Sequence, residues 1–354
     1  MGNVARTAAG LALALAAAVF CVWLRTPIPW MLGPLFALAV ARVAGFDLRT
    51  PAVAQPIGQW IIGASLGLYF TPATLASVAS VWYLPVVGAV CAIAFGYLAG
   101  TLLARLAGID FTTGVFASVP GGAADMATLG ERHGARVDRV AAAHSLRILL
   151  VVAIVPATFT LAGVHGTDMF QPARAAFDAP GFALLMAATL VGAVVARRFD
   201  VPNAFILGSL AVAIPLTAAG LRLSAVPAPM LNAGQLLLGC ALGARFEPDF
   251  LRGAPRFVGA VAATVLLLIV ASTALGFVLA KLAGESVASV VLGMAPGGIA
   301  EMTVTAKVLQ LGVPLVTTFH VARVVALLLL TGPLFAWVRR RWPTLGQSTI
   351  GEPR

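Results

Sequence analysis

Charge is what this chain has least of. Asp, Glu, Lys and Arg make up 10% of its 354 residues, with 13 acids against 23 Lys and Arg. Soluble domains carry about 25% charged residues, so an ordinary water-facing surface is excluded. Cysteine is scarce too, and Cys21, Cys91 and Cys240 all fall in apolar runs without Cys-x-x-Cys spacing. Neither a disulfide framework nor a thiolate metal cluster is implied. Four histidines are spread as His133 in a loop, His165 near a span end, and His144 and His320 in apolar segments. A copper oxygenase needs clustered nitrogen ligands, so no site for one is visible and no cofactor or metal is expected. The formal net charge is +10, but the basic residues are scattered between hydrophobic segments. That pattern fits positive loops beside a membrane and gives no nucleic-acid patch.

What fills the chain is hydrocarbon. Hydrophobic residues are 60% of it and the mean hydropathy is +0.99. Apolar runs of membrane-spanning length recur near 8–25, 30–46, 55–71, 81–107 and 138–163, then near 179–197, 202–220, 230–245, 255–283 and 313–338. These predict a polytopic all-α protein whose main partner is the lipid bilayer. The first run has no small-residue cleavage site after it, and its counterpart lies mid-chain, so it is expected to be a retained span and not a signal peptide.

The order of these segments repeats because the chain contains itself twice. Pro120-Gly121-Gly122 recurs 176 residues later as Pro296-Gly297-Gly298, and at the same shift Asp125 meets Glu301, Met126 meets Met302, His144 meets His320 and Arg147 meets Arg323. Gly58-Gln59, Gly63, Gly67, Phe70 and Pro72 recur as Gly234-Gln235, Gly239, Gly243, Phe246 and Pro248. Pro27 and Gly33 match Pro202 and Gly208 at 175, one residue out of step. This is a tandem duplication. The expected organisation is a first membrane repeat over 1–170, a second over 171–342, and a short cytoplasmic tail over 343–354.

Each repeat carries an extra apolar stretch, 111–131 and 287–308, broken in its middle by Pro-Gly-Gly. Proline cannot donate its backbone hydrogen bond and glycine weakens helix, so a continuous helix is not expected there. An arm of about ten residues spans roughly 15 Å, half of a core of about 30 Å, which suits a re-entrant hairpin with its tip at the midplane. A kinked full span would also be long enough. Loop charge separates the two. With re-entrant hairpins and the N-terminus inside, sixteen basic loop residues fall on the inner side against five outside, namely Arg25, Arg174, Arg222, Lys281 and Lys307; with crossing hairpins the split is eleven to ten. The positive-inside rule favours five spans per repeat, inverted halves, both termini cytoplasmic and a bacterial inner-membrane location.

Inverted repeats with broken helices are the architecture of secondary transporters. Arg147 and Arg323 lie about nine and ten residues into their spans, roughly 13–15 Å deep, with His144 and His320 three residues earlier on the same face. A half-helix starting after Gly-Gly offers backbone N–H groups and a positive dipole end to an anion. The candidate binding residues are therefore Gly121, Gly122, Arg147, Gly297, Gly298 and Arg323, with the arginines as bidentate clamps. Asp125, His144, Glu301 and His320 are the candidate proton- or Na⁺-coupling groups. In the alternative reading the acids cap their half-helices and pair with Arg147 and Arg323, while the histidines bond backbone carbonyls. Gly63/Gly67 and Gly239/Gly243 have the spacing of close helix packing. Gln59 and Gln235 are either interhelical hydrogen-bonders or cavity lining.

The duplicated Pro-Gly-Gly-x-Ala-[Asp/Glu]-Met element, Pro120 to Met126 and Pro296 to Met302, with the trailing His-x-x-Arg of His144/Arg147 and His320/Arg323, resembles the AbrB family of bacterial membrane proteins over roughly 8–340. Members carry labels as different as ammonia monooxygenase, regulator of gene expression and transporter. The small soluble DNA-binding regulator of the same name shares no feature with this chain. The layout is also similar, in architecture alone, to anion exchangers and citrate-type symporters. The expected function is a secondary transporter of a small organic anion, not an enzyme, with a homodimer as an admissible assembly. A membrane-embedded ligand sensor is the alternative, and an ammonia monooxygenase-type enzyme is the least favoured.

Overall fold

The computed structural model describes residues 3–166, 177–221, 224–246 and 254–341. Pro248, Arg174, Arg222, Arg252, Arg354, Trp342 and the tail 343–354 lie outside the described residues. Among those described, the chain is all helix. The first copy supplies α1 (Asn3–Trp23), α2 (Pro29–Val43), α3 (Ala54–Gly67), α4 (Pro72–Ser80), α5 (Tyr83–Ala107), α6 (Phe111–Ser118), α7 (Ala123–Arg132) and α8 (Val137–Leu161). The second supplies α9 (Ala179–Arg198), α10 (Ala204–Ala218), α11 (Ala228–Gly243), α12 (Pro255–Ala283), α13 (Val287–Met294), α14 (Ile299–Val308) and α15 (Val313–Arg341).

Six of these, α1, α5, α8, α9, α12 and α15, are long and apolar enough to cross a membrane. They turn apolar side chains outward: Leu98, Val270 and Leu329 are each about two-thirds exposed (66%, 65% and 66%). Such a surface is stable only against lipid or protein, and the chain is a multi-pass membrane protein. The other four expected spans are shorter: α2, α3, α10 and α11 have 15, 14, 15 and 16 residues. At 1.5 Å per residue they reach only about 21–24 Å, less than a 30 Å core. Their ends are set by local chemistry. Pro29 opens α2, and left-handed Gly45 and Gly220 close α2 and α10, each followed by an amide that bonds back into the last turn. Glycine takes a positive φ without the Cβ clash, which is why it ends helices.

The duplication is visible in backbone conformation. The left-handed residues Arg25, Ile28, Gly45, Gly108 and Gly134 have left-handed counterparts Asp200, Asn203, Gly220, Gly284 and Gln310 at the same offsets of 175 and then 176. Helix starts are repeated as well. Asp110 caps α6 by accepting from the Thr113 amide at 2.7 Å, and Ser286 caps α13 from the Ser289 amide at 3.4 Å.

Two compact units take pieces from both copies. One holds Met1–Trp82, Val152–Leu251 and Ile299–Thr317, and the other Tyr83–Val151, Arg252–Gly298 and Thr318–Arg354. In the first unit the copies interlock reciprocally: α3 packs on α10 and α11 on α2, with α3 against α11. Glycines allow the close approach. A Cβ on Gly63 would meet the Ile206 carbonyl at 2.9 Å, and one on Gly239 the Met31 carbonyl, the equivalent position, at 2.4 Å. The Gly63/Gly67 and Gly239/Gly243 spacing therefore serves packing. In the second unit α5 packs on α12, α5 on α6 and α12 on α13.

Candidate functional site

Both Pro-Gly-Gly elements interrupt helix. In the first copy α6 ends at Ser118, the Gly121 amide donates to the Val119 carbonyl at 2.8 Å in a tight turn around Pro120, and α7 restarts after Gly122. The arms α6 and α7 pack on each other, so this stretch is a hairpin of two short helices. Gly122 is the N-cap of α7 and makes no side-chain cap bond. In the second copy α13 ends at Met294 and α14 restarts at Ile299.

The arginines staple these breaks. Arg147 donates through Nη1 to the Val119 carbonyl at 3.1 Å and through Nη2 to the Gly121 carbonyl at 2.8 Å. Arg323 repeats the arrangement 176 residues on, donating through Nη1 to the Ala295 carbonyl at 2.7 Å and through Nη2 to the Gly297 carbonyl. Both arginines are 4% exposed. A helix break orphans carbonyls, and a planar fork with two parallel donors suits a pair of them. The guanidiniums thus act first on the protein's own backbone.

The histidines follow the same symmetry. His144 is fully buried with Nε2 at 2.9 Å from the Phe116 carbonyl. His320 is fully buried and its Nδ1 lies 2.8 Å from Arg323 Nη2. Arginine only donates, so Nδ1 accepts and the His320 ring is neutral with its proton on Nε2. The acids differ. Asp125, in the first turn of α7, is half-buried, and among the described residues it forms no ion pair. Glu301, in the first turn of α14, is buried and acts electrostatically on Arg245.

Gly121, Gly122, Asp125, His144, Arg147, Gly297, Gly298, His320 and Arg323 all belong to one unit, and Glu301 to the other. Within that unit both breaks lie on one helix. A Cβ on Gly96 of α5 would meet Val119 and Pro120, and one on Gly88 would meet Met294 at the end of α13. Gly88 and Gly96 are eight residues apart, about 12 Å along the helix. The two glutamines separate here as well: Gln59 donates to Asn203 Oδ1 at 3.2 Å between helices, whereas Gln235 lines a cavity. Lys307, counted from sequence among loop residues, is half-buried on the last turn of α14 with Nζ at 3.3 Å from Ser65 Oγ.

The fold and these repeated staples define a class: a multi-pass all-α membrane protein built on two copies of a broken-helix module. The chain belongs to the AbrB family, described as "Transition state regulatory protein AbrB", whose family model matches residues 30–339. It is similar to "Uncharacterized protein YhjN" of Bacillus subtilis (strain 168), 28% identical over 341 residues that cover 87% of this chain and 86% of the relative. It is also similar to "Putative regulator AbrB" of Escherichia coli (strain K12), 25% identical over 317 residues, 88% of this chain and 89% of the relative. No solved structure matches the chain.

Proposed function

We propose that this protein is a secondary transporter that moves a small organic anion across the bacterial inner membrane by alternating access, coupled to H⁺ or Na⁺, without chemistry on its cargo. One observation carries the reading: in both copies an interrupted helix inside an apolar protein is held open by a buried arginine on its own break carbonyls. Non-helical backbone at membrane depth is tolerated where it is enclosed by protein or lines a cavity, and paired broken helices are where transporters bind cargo. In this reading Gly121, Gly122, Gly297 and Gly298 let the anion approach the backbone. Arg147 and Arg323 position the tips and supply positive charge. Asp125 and Glu301 carry the coupling ion. His144 and His320 serve as proton relays only if they leave their present bonds, because His320 accepts from Arg323.

Reconstituted vesicles containing an internal pH dye test this against a panel of carboxylates, phosphates and sulfonates. Asp125→Asn or Glu301→Gln should abolish gradient-driven uptake while leaving counterflow intact, with unequal effects because the two acids differ by one methylene. Wild-type uptake by both variants from about pH 5 to 8, where histidine also titrates, would reduce the acids to helix caps. The name of the Escherichia coli relative favours a second reading, a membrane-embedded sensor that binds a ligand and regulates. Saturable ligand binding with no counterflow for any member of the panel would select it.

A further inference from the structure

The duplication is broken around Gln235, and the break lines a pocket. In the first copy the Gln59 amide is tied to Asn203, the left-handed N-cap residue of α10. The equivalent N-cap residue of α2 is Ile28, equally left-handed but apolar. Gln235, the equivalent of Gln59, therefore has no such amide to bond and lines a cavity of about 260 Å³ between α3, α11 and α14. Ser65 from α3, Asn232 from α11 and Lys307 from α14 complete its polar lining, and apolar residues such as Leu66, Leu231 and Val304 form the rest. All of these belong to one unit. The counterparts at the 176-residue offset are Ala241 for Ser65, Pro56 for Asn232 and Glu131 for Lys307. The polar set exists once.

We infer that Lys307, Ser65, Asn232 and Gln235 form a binding site for a small monocarboxylate. The Lys307 ammonium lies 3.3 Å from Ser65 Oγ and 5.8 Å from the centre of the Tyr69 ring. Among the described residues no carboxylate forms an ion pair with it. A cation facing a largely apolar cavity in a membrane protein is costly unless an anion joins it. One lysine and no lining acid match a single negative charge. The serine hydroxyl and two side-chain amides supply donors for the two carboxylate oxygens. The remaining wall suits a short hydrocarbon. A cavity of about 260 Å³ lies just below the usual range of small-ligand pockets, about 300–1,000 Å³, so a small acid fits it best. This site is distinct from the Pro-Gly-Gly tips, and it stands whether the protein transports its ligand or senses it.

The test is calorimetric and thermal-shift titration of the full chain in detergent with sodium propanoate, lactate, 3-methylbutanoate and benzoate. Sodium chloride, disodium succinate, sodium phosphate and ammonium chloride serve as comparisons. We expect saturable binding of at least one monocarboxylate, weakened tenfold or more by Lys307→Met and by Asn232→Leu. The second variant fills the cavity without touching the charge and keeps the test decisive if the first fails to fold. Glu131→Gln, at the equivalent position of the other copy, should bind as wild type does. The proposal is overturned if no monocarboxylate exceeds sodium chloride, if succinate or phosphate binds more tightly than every monocarboxylate, or if folded Lys307→Met or Asn232→Leu binds normally. Binding that requires Lys307 without counterflow in vesicles upholds this site and removes only the transport reading.

Discussion

Arg147 and Arg323 solve a problem created by their own copies. Pro120 and Pro296 contribute no amide, and the helix break around each leaves the carbonyls of residues 121, 295 and 297 without a helical donor, while the Val119 carbonyl accepts the Gly121 amide as well as Arg147. A guanidinium presents two donors at a fixed spacing, so one side chain satisfies two carbonyls; an ammonium is a point donor and cannot match that geometry. Arg147→Ala should lower unfolding stability in detergent by about 1–3 kcal/mol, measured by thermal denaturation, because the Gly121 carbonyl loses its donor while the Val119 carbonyl keeps the Gly121 amide. Arg147→Lys should fall between the alanine variant and the wild type. Equal stability for the wild type, the alanine variant and the lysine variant would show that the staple is idle and that the arginine is held for a ligand alone. The sequence made these residues visible through the repeat and their depth in a span. It concealed their partners, because a backbone carbonyl has no letter. Lys307, Ser65 and Asn232 were concealed differently: their cavity draws on three helices far apart in the chain. The available signal was asymmetry, Lys307 against Glu131 and Asn203 against Ile28, in a duplication that keeps His144/His320 and Arg147/Arg323.

The short helices are joined by backbone proximity more than by large side chains. Gly58 and Gly234 face each other, with a Cβ on Gly58 meeting the Gly234 carbonyl at 2.7 Å and one on Gly234 the Gly58 carbonyl at 3.6 Å. Gly63→Ala should destabilise by about 1–3 kcal/mol, because its Cβ would press on the Ile206 carbonyl and Ser209 Cβ, both at 2.9 Å. Gly259→Ala on α12 meets nothing within 4 Å and should instead stabilise by about 0.5–1 kcal/mol through helix propensity. Thermal unfolding of the two variants side by side checks both signs. At this scale most of the architecture could be read from the chain. Ten apolar runs and two broken stretches all appear as helices near their expected positions, because run length and Pro/Gly punctuation are properties of single segments. The nine-residue α4, set at 90° to α3, fills the stretch between the apolar runs 55–71 and 81–107, for which no helix is expected from hydropathy alone. Four of the ten runs form helices shorter than the core is thick; in α2 and α10 a left-handed glycine just after the last turn stops the helix, which a hydropathy pattern does not register.

At the scale of the molecule, the question is how the two copies face the membrane. Equivalent helices meet end to start. Arg245, just after α11, donates to Gln55 Oε1 near the start of α3 at 2.8 Å, and Arg256 at the start of α12 donates to the Leu106 carbonyl at the end of α5 at 2.8 Å. Equivalent helices running in opposite directions are what inverted repeats require. Basic residues assigned to one side by loop charge also gather. Arg6, Arg42 and Arg49 surround Asp47 in one unit, while Arg42 also donates to the Phe246 carbonyl beside Arg245. In the other unit Arg139 stacks over Phe257, next to Arg256. These contacts support the inverted arrangement that we propose, with the α7–α8 loop inside and the equivalent α14–α15 loop outside. Arg136 and Gln310 are exposed in those two loops. In a background with Cys21, Cys91 and Cys240 replaced, Gln310→Cys should react with an impermeant maleimide on intact spheroplasts. Arg136→Cys should react only after the membrane is opened. Labelling of both from the same side would eliminate the inverted repeats and turn each broken stretch into a crossing span. The excess of basic residues on the inner side would then disappear with it, since crossing hairpins divide the same residues almost evenly.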